Sequence, residues 1–321
     1  MKIKKFFLSY RIQFSVLGVM VLLLIIFAIM NPKVFLSYNT YRALFIVYPI
    51  PLMLVCGLVF VTASGESDLS FPSTIGIALW LFSLITLKTG YPFFGFFCAI
   101  LSGLLIGLVN GLLITKLKLS SLVVTLGMNF LLRGLIMIGT SGHGIPLTFL
   151  NKSTFYKIFV GKIGDFPIQM LWGLVFMGIC ILVFNFHRFG AHVCYVGDNP
   201  TSAAETGVKV ERIKIGAYMV TGLAAALAGV FTGLVNNAFF PTSGSGYLLT
   251  SLAAVFLGGT PTWGGIGTIL GGAIGAFILS FLENGIISSG LTGFYTQFFF
   301  GLIIVLALIS HKFTGIRRKG N

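Results

Sequence analysis

Apolar runs follow one another along almost the whole chain, separated by short joints rich in glycine, proline and charge. Each run is near the roughly 20 residues that a helix needs to cross a hydrocarbon core of about 30 Å, and the strict alternation of a membrane barrel is missing. With 56% hydrophobic and only 9% charged residues, the chain cannot build the usual charged surface of a water-soluble protein. It is predicted to be an all-α polytopic membrane protein, a single transmembrane domain over residues 1–321. Its 41 glycines suit membrane helices that pack closely through small residues.

Periodicity and turn residues predict about ten spans. Five lie near Phe14 to Met30, Ala43 to Ala63, Phe71 to Leu87, Phe93 to Thr115 and Ser121 to Gly139. Five more lie near Ile168 to Phe186, Ile213 to Asn236, Leu248 to Gly259, Gly267 to Ile287 and Tyr295 to Ser310. The first resembles a signal peptide but is long and lacks a small-x-small cleavage site, so it reads as a retained span. With the N-terminus inside, 14 of the 21 Lys and Arg fall on the cytoplasmic side, six on the other, and Arg133 within a span. That asymmetry follows the positive-inside rule and puts both termini in the cytoplasm. The net charge of +14 comes from short basic groups between spans rather than one basic face, so it reports topology and not nucleic-acid binding. Four scattered cysteines indicate neither a disulfide framework nor a metal site.

The polar island from Gly197 to Lys214 holds six charges, including three of the seven acidic residues. Asn199 is a good N-cap, Pro200 suits the first helical position, Ala203, Ala204 and Glu205 propagate a helix, and Gly207 can end it left-handed. Such a short helix needs packing partners, either neighbouring segments or another protein. The island, within a predicted cytoplasmic loop over 187–212, reads as a docking element for a soluble partner; its alternative is an ordinary solvated loop. The long joint from Thr140 to Pro167 is then external, meeting a partner or covering the outer mouth.

Enzymatic motifs are missing. The glycine-rich run Gly258 to Gly267 has no Gly-Lys-Ser or Gly-Lys-Thr and so reads as a crowded re-entrant turn rather than a phosphate loop. Polar groups within spans are the better clues, since each costs roughly 2.5–3.5 kcal/mol at mid-helix unless sheltered. Thr125, Asn129 and Arg133 recur every four residues and share a face, which either lines a pathway or hydrogen-bonds to neighbouring helices. Glu66 and Asp68 sit at the joint between the second and third spans, for capping and gating or as a weak metal or proton signal. Asn110-Gly111-Leu112-Leu113 is echoed by Asn284-Gly285-Ile286-Ile287, a match open to either chance or an inverted repeat. Glu283, beside Asn284 near the outer end of the ninth span, is a further candidate for lining the path.

From the second span onward, the chain resembles the permease subunits of ABC sugar importers, the group that includes ribose, galactose, xylose and autoinducer-2 uptake systems. The family's Gly-Gly-Ile-Asp-Leu-Ser is echoed by Gly65-Glu66-Ser67-Asp68-Leu69-Ser70, and its Asn-Gly-Leu-Leu by Asn110 to Leu113. Its Thr-Leu-Gly-Met and Arg-Gly are matched by Thr125 to Met128 and Arg133-Gly134. Further matches are Gly197-Asp198-Asn199, Ala203-Ala204, Thr206-Gly207-Val208, Lys214, and Ala253 to Thr260 followed by Gly264-Gly265 and Gly267. The resemblance implies a second permease chain, cytosolic ABC ATPase subunits docking on the island, and an extracytoplasmic solute-binding protein delivering a sugar across a bacterial cytoplasmic membrane. Glu66 and Ser67 replace the usual Gly and Ile, and Leu248-Leu249-Thr250 stands where many members carry Glu-Leu-Asp. An ABC permease for a nucleoside or amino acid, and an ion-coupled carrier using Glu66, Asp68 or Glu283, are the competing readings.

Overall fold

A computed structural model describes residues 11–288, 294–302 and 305. The tails 1–10 and 312–319 that weigh in the charge count lie outside the described residues, as do residues 303, 304 and 306–310 of the span expected from Tyr295 to Ser310. In chain order the helices are α1 (Arg11–Met30), α2 (Pro32–Phe35), α3 (Tyr38–Val47), α4 (Pro49–Ala63), α5 (Phe71–Thr89), α6 (Pro92–Lys116) and α7 (Ser121–Thr140). There follow α8 (Thr154–Val160), α9 (Ile168–Ile181), α10 (Arg188–Asp198), α11 (Pro200–Glu205), α12 (Val210–Asn236), α13 (Tyr247–Leu257) and α14 (Ile269–Ser288).

Among the described residues, six helices are long and apolar enough to span: α5, α6, α7, α9 with its π-helical extension to Phe186, α12 and α14. The helix expected from Ala43 to Ala63 is two pieces, α3 and α4, bent by 46°. Pro49 explains the break, because it has no N–H to donate and its ring crowds the preceding turn. Counted as one span, this pair makes seven. The expected ten would also need α1, α13 and the segment from Tyr295, and α13 is only 11 residues, roughly 16 Å by helical rise. The protein is a helical, multi-pass membrane protein.

The core is organised round α12, which packs most extensively against α6 and then α4 and α5. Gly103, Gly107 and Gly111 put one face of α6 flat on it: a Cβ on Gly103 would stand 2.3 Å from the Gly222 carbonyl oxygen, and one on Gly107 2.3 Å from that of Tyr218. Small residues four apart thus let two backbones touch, the membrane substitute for a hydrophobic drive that lipid cannot supply.

At one end of the bundle the joint from Thr140 to Pro167 folds down over the helices. Its short strand β1 (Ile145–Pro146) pairs antiparallel with β4 (Ala238–Phe239), Ile145 opposite Phe239, while β2 (Lys162–Ile163) pairs with β3 (Phe166–Pro167). Ser153 caps α8 by accepting from the Tyr156 N–H at 3.1 Å, and Phe155 and Phe159 stack into a cluster with Phe82, Phe93, Phe96, Trp172 and Phe231. This aromatic cluster holds the joint against the bundle.

Candidate functional site: a glycine junction and a polar linker

The opposite end of the bundle gathers the island, the end of α4, the glycine-rich turn and the starts of α7 and α12. Asn199 caps α11 as its side chain predicts, accepting from the N–H groups of Thr201 and Ser202 at 3.0 Å each. Pro200 opens the helix, and Gly207 follows it with φ +87°. Asp198, Asn199, Pro200, Ala204, Glu205 and Gly207 are exposed, whereas Ala203 is buried and seats the helix. The six-residue helix therefore presents a polar outer face held from beneath by one methyl group.

Sequence reasoning missed α10. Its signal was present in Gly190, Val193 and Val196, three residues apart and all buried, inside a segment otherwise read as loop. The π-helical end of α9 at Leu182–Phe186 and the turn at His187 fold the chain back so tightly that a Cβ on Gly190 would lie 2.0 Å from the Phe184 carbonyl oxygen. The far end of α10 is wedged more firmly still. A Cβ on Gly197 would stand 1.9 Å from the Ala63 carbonyl oxygen and 2.5 Å from the Gly265 nitrogen, and Gly265 itself donates to that carbonyl at 2.9 Å. A Cβ on Gly264 would likewise stand 2.5 Å from the Gly65 nitrogen. The run Gly258 to Gly267 is thus the crowded turn expected, with Gly259, Gly264 and Gly265 at positive φ, and its crowding partners are α4 and the island.

Between α4 and α5 the chain has no regular secondary structure over 66–70 and is held from three sides. The Leu69 N–H donates to Thr125 Oγ1 at 3.0 Å, the Ser67 N–H to Ser121 Oγ at 3.3 Å, and Tyr218 Oη donates to the Ser67 carbonyl at 2.9 Å. Asp68 accepts from the Ser70 N–H and hydroxyl at 2.7 Å each, fixing the residue just before α5 begins at Phe71. Asn110 reaches across from α6 to donate to Ser70 Oγ at 2.8 Å. Ser73 donates to the Asn129 side chain at 2.6 Å. Glu66 pairs with Lys214 at the foot of α12, their side chains only 14% and 17% exposed. A cavity of about 280 Å³ opens beside this pair, walled also by Lys118 and Glu211; Lys116 pairs with Glu211 at its rim.

The structure thus brings together Glu66, Asp68, Asn110, Thr125 and Asn129. Arg133 lies further along α7, where its guanidinium donates to the carbonyls of Pro241 and Ser243 and pins the turn before α13, the hydrogen-bonding alternative of the two roles its stripe allowed. Asn284 stands apart on α14 and donates to the Ser280 carbonyl of its own helix, so the two echoed Asn-Gly segments have different surroundings.

The described residues form a multi-pass helical bundle with a polar island wedged into one end and the 140–167 joint packed over the other, a build that suits a membrane transport subunit. Residues 40–308 match the family model of the permease component of branched-chain amino acid transport systems, and the chain belongs to that family. It is 30% identical over 299 residues to the ribose import permease protein RbsC of Escherichia coli (strain K12), covering 92% of each chain. Its identity is 31% over 295 residues to RbsC of Bacillus subtilis (strain 168), covering 91% of this chain and 90% of that one. It is also 31% identical over 284 residues to the autoinducer 2 import system permease protein LsrC of Yersinia pseudotuberculosis serotype O:3 (strain YPIII), covering 86% of this chain and 78% of the other. No solved structure matches the chain.

Proposed function

We propose that this chain is the permease subunit of an ATP-driven, binding-protein-dependent importer that passes a small sugar into the cytoplasm of a bacterium. The relatives named for ribose and autoinducer-2 import support the substrate class. The wedging of Gly197 between Ala63 and Gly265 carries the mechanism. ATP is hydrolysed by separate cytosolic subunits that dock on the 187–212 segment, through the exposed side of Asp198, Asn199, Pro200, Ala204, Glu205 and Gly207. A docked ATPase moves membrane helices only through contacts whose free energy differs between its own states. Here a push on α11 is transmitted by α10 to the end of α4 and to the turn between α13 and α14, and by Val210 directly into α12. A second permease chain completes the pathway, a solute-binding protein docks over the covered mouth, and both termini lie in the cytoplasm of a chain embedded in the cytoplasmic membrane. Glu66, Asp68, Asn110, Thr125 and Asn129 govern the path by fixing the 66–70 linker, Arg133 by fixing the turn before α13, and Asn284 from α14.

The test is reconstitution of the permease with its ATPase and binding protein in vesicles. Sugar uptake should require ATP and be indifferent to proton and sodium gradients. Uptake driven by an ion gradient in vesicles holding the permease alone would replace this reading with an ion-coupled carrier.

A further inference from the structure

The linker between α4 and α5 buries a carboxyl group without a counter-ion. Asp68 is only 3% exposed, and the ion pairs among the described residues are Arg42 with Asp165, Lys116 with Glu211 and Lys214 with Glu66. The neighbouring titratable groups make no ion pair with Asp68, and Lys118, in the cavity wall beside Glu66, is not among the ion pairs of the described residues. On α12, Tyr218 donates to the Ser67 carbonyl and Lys214 is held by Glu66, the other acid of the linker. From α6, Lys116 is turned to Glu211; from α7, the packed face offers Ser121 and Thr125, and Arg133 is spent on backbone carbonyls. An unpaired carboxylate in such a place costs several kcal/mol, and a buried group in that position takes up a proton instead.

A second orphan stands beside it. The Ser70 hydroxyl has one proton, which it gives to Asp68 Oδ1, so it accepts from the Asn110 amide nitrogen. This directionality fixes the amide: Nδ2 faces Ser70, and Oδ1 is left buried with no donor. Asn110 is wholly buried, so bulk water does not satisfy it. The cluster therefore holds one buried negative charge without a counter-ion and one buried acceptor without a donor, and a proton on Asp68 removes the first of these.

We propose that Asp68, Ser70 and Asn110 form a buried proton-binding site in the α4–α5 linker, with Asp68 held as the neutral acid and Asn110 Oδ1 as the acceptor awaiting a donor. Burial raises the Asp68 carboxyl above its ordinary range, outweighing the N–H and hydroxyl bonds from Ser70 and the N–H of Phe71 that pull it down. The native state then binds a proton that the unfolded chain releases, so stability must fall as pH rises from the ordinary carboxylate range through the raised one. The inference does not depend on what the protein transports.

The full-length permease in detergent or nanodiscs is titrated from about pH 5 to about pH 9, reading the apparent Tm against Asp68→Asn. The wild type should lose Tm with rising pH relative to the variant, by up to one proton's worth, about tenfold in the folding equilibrium per pH unit. Asp68→Asn keeps an acceptor for Ser70 without the charge and should match or exceed the wild type at the alkaline end. Equal slopes in the two proteins overturn the proposal. So does stabilisation by sodium or potassium chloride in the wild type that vanishes in Asp68→Asn, which would make the cluster a cation site. If Asp68→Asn does not fold, the infrared carbonyl band of a protonated carboxylic acid is followed in Glu283→Gln, which removes the carboxyl group of α14. The band should persist at pH values where a free aspartate is ionised, and its absence there refutes the site.

Discussion

Replacing Gly197 with alanine is the smallest change that separates the island from the bundle. The added Cβ would sit 1.9 Å from the Ala63 carbonyl oxygen and 2.5 Å from the Gly265 nitrogen, both backbone atoms that cannot swing aside as a side chain would. Relief requires α10 to back away from α4, or the glycine-rich turn to lift from both. Overpacking of this kind costs about 1–3 kcal/mol, and parting Gly265 from Ala63 forfeits a hydrogen bond with a net worth of about 0.5–1.5 kcal/mol. Together they disfavour the seated junction by about 1.5–4.5 kcal/mol, a factor of roughly ten to about 1,600 at about 1.4 kcal/mol per decade. The clash falls at the last residue of α4 and in the glycine-rich turn, away from the middle of every span, so the variant should insert in the membrane at normal abundance. In the reconstituted complex, sugar-stimulated ATP hydrolysis should fall at least tenfold while the unstimulated rate of the ATPase is kept. Gly178→Ala is the control, since a Cβ there meets nothing within 4 Å. If Gly197→Ala stimulates its ATPase and transports as the unmodified chain does, force does not pass through this junction.

Gly207→Val should produce the same uncoupling by a different route: a Cβ at this site has open space, so the whole effect is the strain of a β-branched residue at φ +87°, about 1–2 kcal/mol, read as lost stimulation with insertion intact. Either single change at the mostly buried Glu66–Lys214 pair, Glu66→Gln or Lys214→Met, should cost more stability than the two combined, because each alone strands a charge; additive losses in a double-mutant cycle would rule out direct coupling. The Lys116–Glu211 pair, with side chains 60% and 51% exposed, should show coupling below about 1 kcal/mol in the same assay. In a Cys98→Ser background, Cys194 should react with membrane-impermeant maleimide only from the cytoplasmic side. Burial raises its thiol pKa, so labelling should be slow at neutral pH and accelerate as pH climbs; labelling from outside intact cells would invert the proposed topology.

What could be read from the sequence divides by the range of the interaction. The Asn199 cap, the Pro200 start and the left-handed Gly207 are local, set by a few neighbouring residues, and each is where its chemistry puts it. The same is true of the spans from Phe71 to Asn236, whose apolar runs exceed any ambiguity of period. Pro49 lies inside an apolar run, and hydropathy alone cannot tell a spanning helix from two pieces meeting at 46°. The stripe Thr125, Asn129, Arg133 shares a face as its spacing requires, yet spacing is silent on what the face meets: the linker, Ser73 and the turn before α13. Glu66 is the clearest case. Its partner Lys214 is 148 residues away, so nothing near Glu66 in the chain announces that its charge is neutralised.

The placement of the glycines explains how a surface helix of six residues can act on a whole bundle. On its own α11 is too short to be stable, and one buried methyl group at Ala203 cannot hold it against a partner that pulls. The chain on either side of it does hold. Before it, α10 ends in the Gly197 wedge; after it, α12 starts at Val210 and runs 27 residues in backbone contact with α6 through Gly103 and Gly107. Side chains packed on side chains can repack and absorb a displacement, whereas carbonyl oxygens closed against glycine Cα atoms have nothing to repack. On the proposed coupling, a movement of α11 would be carried by α12 and α6 as one body, or the contacts would open outright, which is the two-state behaviour such a mechanism needs. Gly107→Ala separates these outcomes from Gly197→Ala. Its Cβ would fall 2.3 Å from the Tyr218 carbonyl oxygen, deep in the α6–α12 face, so it should impair assembly and coupling together, where the change at Gly197 spares assembly. Normal assembly of the Gly107→Ala chain would show that the two helices slide, and the island would then need another route into the bundle.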